Sequence, residues 1–454
     1  MIMIIIIIIV YNMSNNSGQI VETFIQSIQP NQNKSKIYYF DNNATTYIYE
    51  QDIFNEINNW INCGNPSNVL HCEGRKANAK LKQSREIVAN DLKVDPNEIY
   101  FTSGATESND IIIKRIISNY LQHNKKCSII TSNIEHPSVL NIFKSYKQNP
   151  KVNVIIIPVE TNINNSYYGT VNPSTLEDAI LKENNVILMS LMYANNETGL
   201  IQNIAQFGKL AKKYNIFFHC DATQAIGKFI IHPNNLNIHA MSFSGHKFHT
   251  PKGIGCLYIK QQCPMLDTDS QKICAQFGTN SQEFGVRGGT ENISHIAACA
   301  LGLMKIHENR LNKNKKLHNI KQYIINNLEH NGCVIIKPNK ILNKINYINP
   351  SSGILDNTIL VILKGINTCN KLFSQKLSEQ YNICVGVSSA CQSGKESHVY
   401  SALNLSNEDK NKIIRISLSD YTTLNEVTYL INSINELLDS YRTTPSFNTA
   451  NNQI

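Results

Sequence analysis

From residue 37 the chain alternates short apolar runs with longer amphipathic stretches. "IYYFD" (37–41), "EIYFTSG" (98–104), "CSIITS" (127–132), "VNVIIIPV" (152–159), "NVILMSLMY" (185–193), "NIFFHCDA" (215–222) and "AMSFSGHK" (240–247) read as strands. Each is a short apolar run bounded by polar or turn residues. Between them, "EGRKANAKLKQSREIVANDL" (73–92) and "ATESNDIIIKRIISNYLQ" (105–122) carry helical spacing. Nearly continuous apolar strands alternating with helices predict an α/β fold with a mostly parallel sheet of the seven-stranded type, covered by helices on both faces. Near residue 300 the rhythm changes. Roughly residues 292–330, within and after "ENISHIAACALGLMKI" (291–306), read as one long helix, and shorter, less regular elements follow to about residue 440. This predicts a large domain over 52–305 and a smaller α+β domain built from 37–51 and 306–440. Residues 1–36 read as a mobile extension and 441–454 as a disordered tail.

Composition narrows the function classes. The 454 residues are 42% hydrophobic and 17% charged, which fits a globular chain with a sizeable core. The net charge of +8 comes from scattered lysines, without the basic block that marks a nucleic-acid partner. The apolar start "MIMIIIIIIV" is shorter than the ~20 residues a membrane span requires and lacks a basic flank, so no membrane association is expected. Twelve cysteines without a CxxC pair indicate neither a metal site nor a disulfide framework, which suits a cytoplasmic or organellar setting. Asn is abundant everywhere, so an Asn-rich loop carries little information by itself.

Ligands of open parallel sheets bind beyond the carboxyl ends of the strands, and polar residues recur there. Gly104, Ala105 and Thr106 stand where a strand turns into a helix, a setting that favours a phosphate. His136 follows another strand, Asn195–Glu197 a third, Asp221 and Gln224 a fourth, and Ser244, His246 and Lys247 a fifth. Each motif alone also reads as an ordinary turn or cap. Together they fit pyridoxal 5′-phosphate, which needs a Schiff-base lysine, an acid for its ring nitrogen and a phosphate cradle. On that reading Lys247 supplies the amine, Asp221 the acid, His136 a stacking partner, and Thr106, Ser244 and His246 the cradle. Cys391 lies in a loop of small polar residues, "GVSSACQSGKESH", where a thiol is accessible enough to be a nucleophile.

Over roughly residues 37–440 the sequence resembles the cysteine desulfurases of the class V aminotransferase group, the NifS/IscS-like enzymes. The resemblance rests on "DNNATT" (41–46), "GNPSNVLHCEGRKA" (64–77), "FTSGATESN", "EHPSVL", "NNETG", "DATQAIGK", "MSFSGHK", "PKGIG", "RGGTEN" (287–292), "SSACQSG" (388–394) and "IRISLSDYTT" (414–423). It implies the fold type I of pyridoxal-phosphate-dependent transferases. It also implies a reaction in which L-cysteine gives L-alanine and a persulfide on Cys391, whose sulfur passes to an acceptor protein such as an iron–sulfur scaffold. Carried over, Asn196 and Gln224 contact the ring hydroxyl, and the Ala105 backbone joins Thr106, Ser244 and His246 at the phosphate. His136 also moves protons, Arg415 with Asn196 binds the substrate carboxylate, and Thr290 reaches the phosphate of a partner subunit, implying a homodimer. Two other readings stay open: a selenocysteine lyase or another class V enzyme, and a non-catalytic scaffold subunit of the same fold.

Overall fold

Six of the seven quoted runs, all but 37–41, pair into one sheet with a seventh strand in the computed structural model, which describes residues 36–122, 126–261, 282–336, 348, 350, 353–387 and 396–443. Most of the expected extension, most of the expected tail and the loop carrying Cys391 lie outside the described residues. The chain divides into Met1–Tyr38, of which Lys36–Tyr38 is described, and Tyr39–Ile454, which holds everything below.

In chain order the first strands are β1 (Tyr38–Phe40), β2 (Ile99–Thr102), β3 (Cys127–Ser132), β4 (Val152–Ile157), β5 (Val186–Met192), β6 (Phe217–Asp221), β7 (Ala240–Ser244) and β8 (Gly255–Ile259). The large sheet has the order β2-β8-β7-β6-β5-β3-β4. The neighbours from β7 to β4 are parallel, and β8 runs antiparallel to both β7 and β2. Two antiparallel steps restore direction, so β2 ends at the same edge as β3, β5, β6 and β7. That places every expected site residue of this region along one rim. The sequence reading did not single out "GCLYI" as a strand.

The helices joining these strands are α1 (Gln51–Trp60), α2 (Cys72–Leu92), α3 (Ala105–Gln122), α4 (Pro137–Tyr146), α5 (Pro173–Lys182) and α6 (Ile204–Lys213). Successive strand residues point to opposite faces. Here Ile129 and Phe217 belong to one buried cluster, and their neighbours Ile130 and Phe218 to another. Both faces are therefore covered, which is why the strands are continuously apolar.

The single helix expected over 292–330 is two helices, α7 (Ile293–His307) and α8 (Arg310–His330). The break falls at Glu308, which is extended, and at Asn309, which adopts the left-handed region at φ 55°. Asparagine tolerates that conformation, and the hydrophobic period does not register it. Beyond lie β9 (Val334–Ile335), β10 (Thr358–Ile362), α9 (Asn370–Tyr381), β11 (Ile383–Val385), α10 (His398–Ala402), α11 (Asn407–Lys410), β12 (Ile413–Ser417) and α12 (Leu424–Thr443). α12 runs into the segment expected as tail. β12, β10 and β9 form a three-stranded antiparallel sheet. β12 carries Arg415 and Ser417, and Ser417 bridges Asp41 in the "DNNATT" turn.

Candidate active site

The strand ends and the "DNNATT" turn surround one cavity of ≈ 440 Å³. Lining it are Ala105 and Thr106 after β2, His136 after β3, Asn196 after β5, Asp221 and Gln224 around the end of β6, Ser244, His246 and Lys247 around the end of β7, and Arg415 from β12. Thr290 is exposed and does not line this cavity, and Cys391 is outside the described residues.

Asp221 sits at depth. Its Oδ2 accepts from Asn109 Nδ2 at 2.9 Å and its Oδ1 from the Thr223 amide at 3.0 Å. Asn109 lies one turn into α3 and also donates to Ser138 Oγ at 3.0 Å, so one buried amide ties the carboxylate to the His136 segment. His136 caps α4. Its Nδ1 accepts from the Ser138 amide at 3.1 Å. A backbone N–H can only donate, so the neutral ring carries its proton on Nε2. Burial pushes the His136 pKa down, with Lys247 and His398 adding to the shift and Asp221 opposing it.

At the mouth, the Ala105 and Thr106 amides begin the 18-residue α3 and have no intrahelical acceptor. Ser244 Oγ has one weak bond, to Ile254 O at 3.5 Å. The close approach depends on glycine: a Cβ at Gly255 would stand 2.5 Å from Gly104 Cα. His246 Nδ1 contacts Thr45 Oγ1 at 3.1 Å, and burial, then Lys247 and Lys252, push its pKa down to about 4. Glu107 also lines this end. It accepts from the Ser103 amide at 2.5 Å and pairs with Arg287 at 3.1 Å. Lys247 Nζ is held by the carbonyls of Asn43 at 2.6 Å and Ala44 at 2.8 Å.

The far wall is Arg415. Its Nη1 donates to Asn196 O at 2.9 Å and its Nη2 to Asp41 Oδ1 at 2.5 Å, while Nε is buried without a partner. Gly386 leaves room for this pair: a Cβ would lie 2.7 Å from Arg415 Nη2 and 2.8 Å from Asp41 Oδ1, so one of them would have to shift. A deep carboxylate, an imidazole, an amine and an anion-binding helix end around one cavity are the groups that pyridoxal phosphate requires. Three residues escaped the sequence reading. Asn43 is a hub that contacts Asn196, Thr358, Gln224 and Lys247. Asn109 holds Asp221, and Asp41 holds Arg415. All three stand in the quoted motifs, but the abundance of Asn hid two of them.

Glu135, beside His136, is fully buried, and burial pushes its pKa up to about 8 against hydrogen bonds from Ser132 Oγ and the Met192 amide. A raised carboxyl stabilises the fold fully below the ordinary carboxyl range and loses that contribution as pH climbs to about 8. In the cofactor-free protein, the stability of Glu135→Gln relative to wild type is expected to rise by on the order of 3 kcal/mol between pH 5 and pH 8. Urea titrations at the two pH values measure it, and parallel stability curves would contradict it.

The family of class-V aminotransferases matches residues 38–430. The chain is 34% identical over 411 residues to a protein named cysteine desulfurase IscS from Buchnera aphidicola subsp. Baizongia pistaciae (strain Bp), covering 89% of this chain and 93% of that protein. A solved structure titled NifS-like protein superposes with a TM-score of 0.76 at 31% identity, covering 89% of this chain and all of the other. Another, titled SspA in complex with cysteine, superposes at 0.67 with 28% identity, covering 85% of this chain and all of the other. The chain belongs to the class-V aminotransferase family, and within it to the NifS/IscS-like cysteine desulfurases.

Proposed function

We propose that the protein is a pyridoxal-phosphate-dependent cysteine desulfurase that works as a homodimer. It takes the sulfur of L-cysteine, leaves L-alanine, and holds the sulfur as a persulfide on Cys391 for an acceptor protein such as an iron–sulfur scaffold. The observation that carries the reading is the convergence of Asp221, His136, Lys247, the α3 end and Arg415 on one cavity.

When bound, pyridoxal phosphate supplies an electron sink for the bonds at the substrate's α and β carbons. Lys247 would attach it covalently. Asp221 would keep the ring nitrogen protonated, Gln224 and Asn196 would contact the ring hydroxyl, and His136 would stack on the ring. The Ala105 and Thr106 amides, the Thr106 and Ser244 hydroxyls and His246 would hold the phosphate, joined by Thr290 of the partner subunit. Arg415, which lines the cavity, would take the substrate carboxylate. In the transfer, the carbon–sulfur bond of cysteine breaks, an S–S bond forms at Cys391, and a proton goes to the β carbon. With Nδ1 in the cap, the neutral His136 ring offers Nε2–H as a hydrogen-bond donor, and it can take up and pass on a proton only by releasing the Ser138 amide from Nδ1.

Two variants test the assignments separately. Asp221→Asn is expected to keep bound cofactor while sulfide release falls by on the order of 10²–10³-fold, because an amide does not replace a buried charge partner. Wild-type turnover would remove Asp221 from the ring-nitrogen role. Gly386→Ala is expected to raise KM for L-cysteine about tenfold or more with the visible cofactor band unchanged, since the added methyl displaces the Arg415 guanidinium. An unchanged KM would take the substrate carboxylate away from Arg415. The reading as a whole is tested by whether the purified yellow protein releases sulfide from L-cysteine under reductant.

A further inference from the structure

A second lysine stands behind Gln224. Lys228 Nζ donates to Gln224 O at 2.8 Å and to Gln224 Oε1 at 3.2 Å. At the other end of that side chain, Gln224 Nε2 donates to Asn43 O at 2.9 Å, the same carbonyl that holds Lys247 Nζ at 2.6 Å. A side-chain amide has one accepting and one donating end, and it fits most sites either way round. Here both neighbours have a single polarity. A lysine only donates and a carbonyl only accepts, so one orientation is permitted.

We propose that Lys228 is a positioning residue that fixes the Gln224 amide with its NH₂ end toward the cavity, so that Gln224 meets bound cofactor as a hydrogen-bond donor. This rests on the pyridoxal-phosphate reading of the site. Asn43 O engages one N–H of that NH₂ and leaves the other for a ligand, while Lys228 holds the accepting end. The residue keeps some accessible surface, but its amine end is enclosed. Burial pushes its pKa down to about 7, with Lys247 and Arg310 adding to the shift and Asp420 opposing it. It is the charged amine that enforces the orientation, because an ammonium has no lone pair and so cannot accept from the Gln224 NH₂ end. The surrounding backbone is held independently of the amine. Asn314 Nδ2 donates to Lys228 O at 3.1 Å, and Arg310 donates to Gly227 O at 2.8 Å while paired with Asp420. Truncating the lysine therefore removes the grip and leaves the frame.

The test is the visible absorption spectrum of the purified holoenzyme, titrated with pH, for Lys228→Met, Lys228→Arg, Gln224→Ala and the Lys228→Met/Gln224→Ala double variant. A role exerted through Gln224 makes the effects non-additive. The expected result is that Lys228→Met shifts the band or its titration midpoint as Gln224→Ala does, that the double variant matches either single one, and that Lys228→Arg retains the wild-type band. A Lys228→Met spectrum that superposes on wild type, or additive shifts in the double variant, overturns the proposal. If Lys228→Met does not fold, Gln224→Glu decides: with Lys228 intact it replaces the donor by an acceptor, so the band must move, and an unmoved band overturns the role. A wild type with no visible band sinks the cofactor reading and this proposal with it, whereas a normal wild-type band with an unaffected Lys228→Met sinks this proposal alone.

Discussion

The Lys247→Ala protein is expected to show no turnover above that of free cofactor, and borohydride is expected to fix no cofactor to it. The argument begins with the strand. β7 is buried along its whole length and delivers Gly245, His246 and Lys247 as a tight turn at the rim of the cavity. A lysine there lines the cavity beside His246, and its Nζ is aimed and held by the Asn43 and Ala44 carbonyls. Such a setting suits an amine that reacts with a carbonyl compound. One other lysine, Lys252, lines the same cavity and is the natural competitor. Peptide mapping after borohydride treatment separates the two, and cofactor fixed on Lys252 in the Lys247→Ala variant would overturn the assignment.

Cys391→Ser carries the second large effect. It is expected to bind cofactor and to answer L-cysteine with a spectral change, because neither step uses the thiol. Alanine formation and sulfide release are expected to fall to background. Cys391 is outside the described residues, but both of its flanks are tied to the site. On one side, Gly386 pairs with Arg415 through backbone hydrogen bonds of 3.0 and 2.6 Å. On the other, Ser397 Oγ donates to the buried Glu197 at 2.6 Å, and His398 Nε2 lies 2.9 Å from Glu135 O, next to His136. Cys391 stands five positions after Gly386, which tethers its Cα within about 17 Å of a residue packed on Arg415. Cys384 is the alternative nucleophile. It lies on β11, and burial, then Asp41, push its pKa up, which disfavours the thiolate. Sulfide release by Cys391→Ser at the wild-type rate would remove Cys391 from the chemistry.

The strands and the rim were legible because they follow from two strong signals: continuous apolar runs, and polar residues at their carboxyl ends. Asp221 illustrates both, since an acid directly after "FFHC" ends a buried strand. The break between α7 and α8 was not legible, because one left-handed asparagine leaves the helical period intact on either side. Nor was β8, whose five residues share the composition of the core and whose reversed direction depends on pairing with β7 and β2. At the site, sequence order exposed the residues that face the ligand but not those that hold them. Asn43, Asn109 and Asp41 act on Gln224, Lys247, Asp221 and Arg415 across separations of 112 to 374 residues, and Lys228 acts on Gln224 four residues back. Such contacts have no local signature, and in an Asn-rich chain the asparagines among them stand out least.

The central claim is that sulfur leaves L-cysteine for Cys391. The most direct measurement is a single turnover of the holoenzyme with sulfur-labelled L-cysteine and no reductant, read by peptide mass spectrometry alongside alanine released. The account predicts one labelled sulfur on the Cys391 peptide for each alanine formed. Alanine formed with the label on the Cys384 peptide, or with no labelled sulfur on the protein, would contradict it.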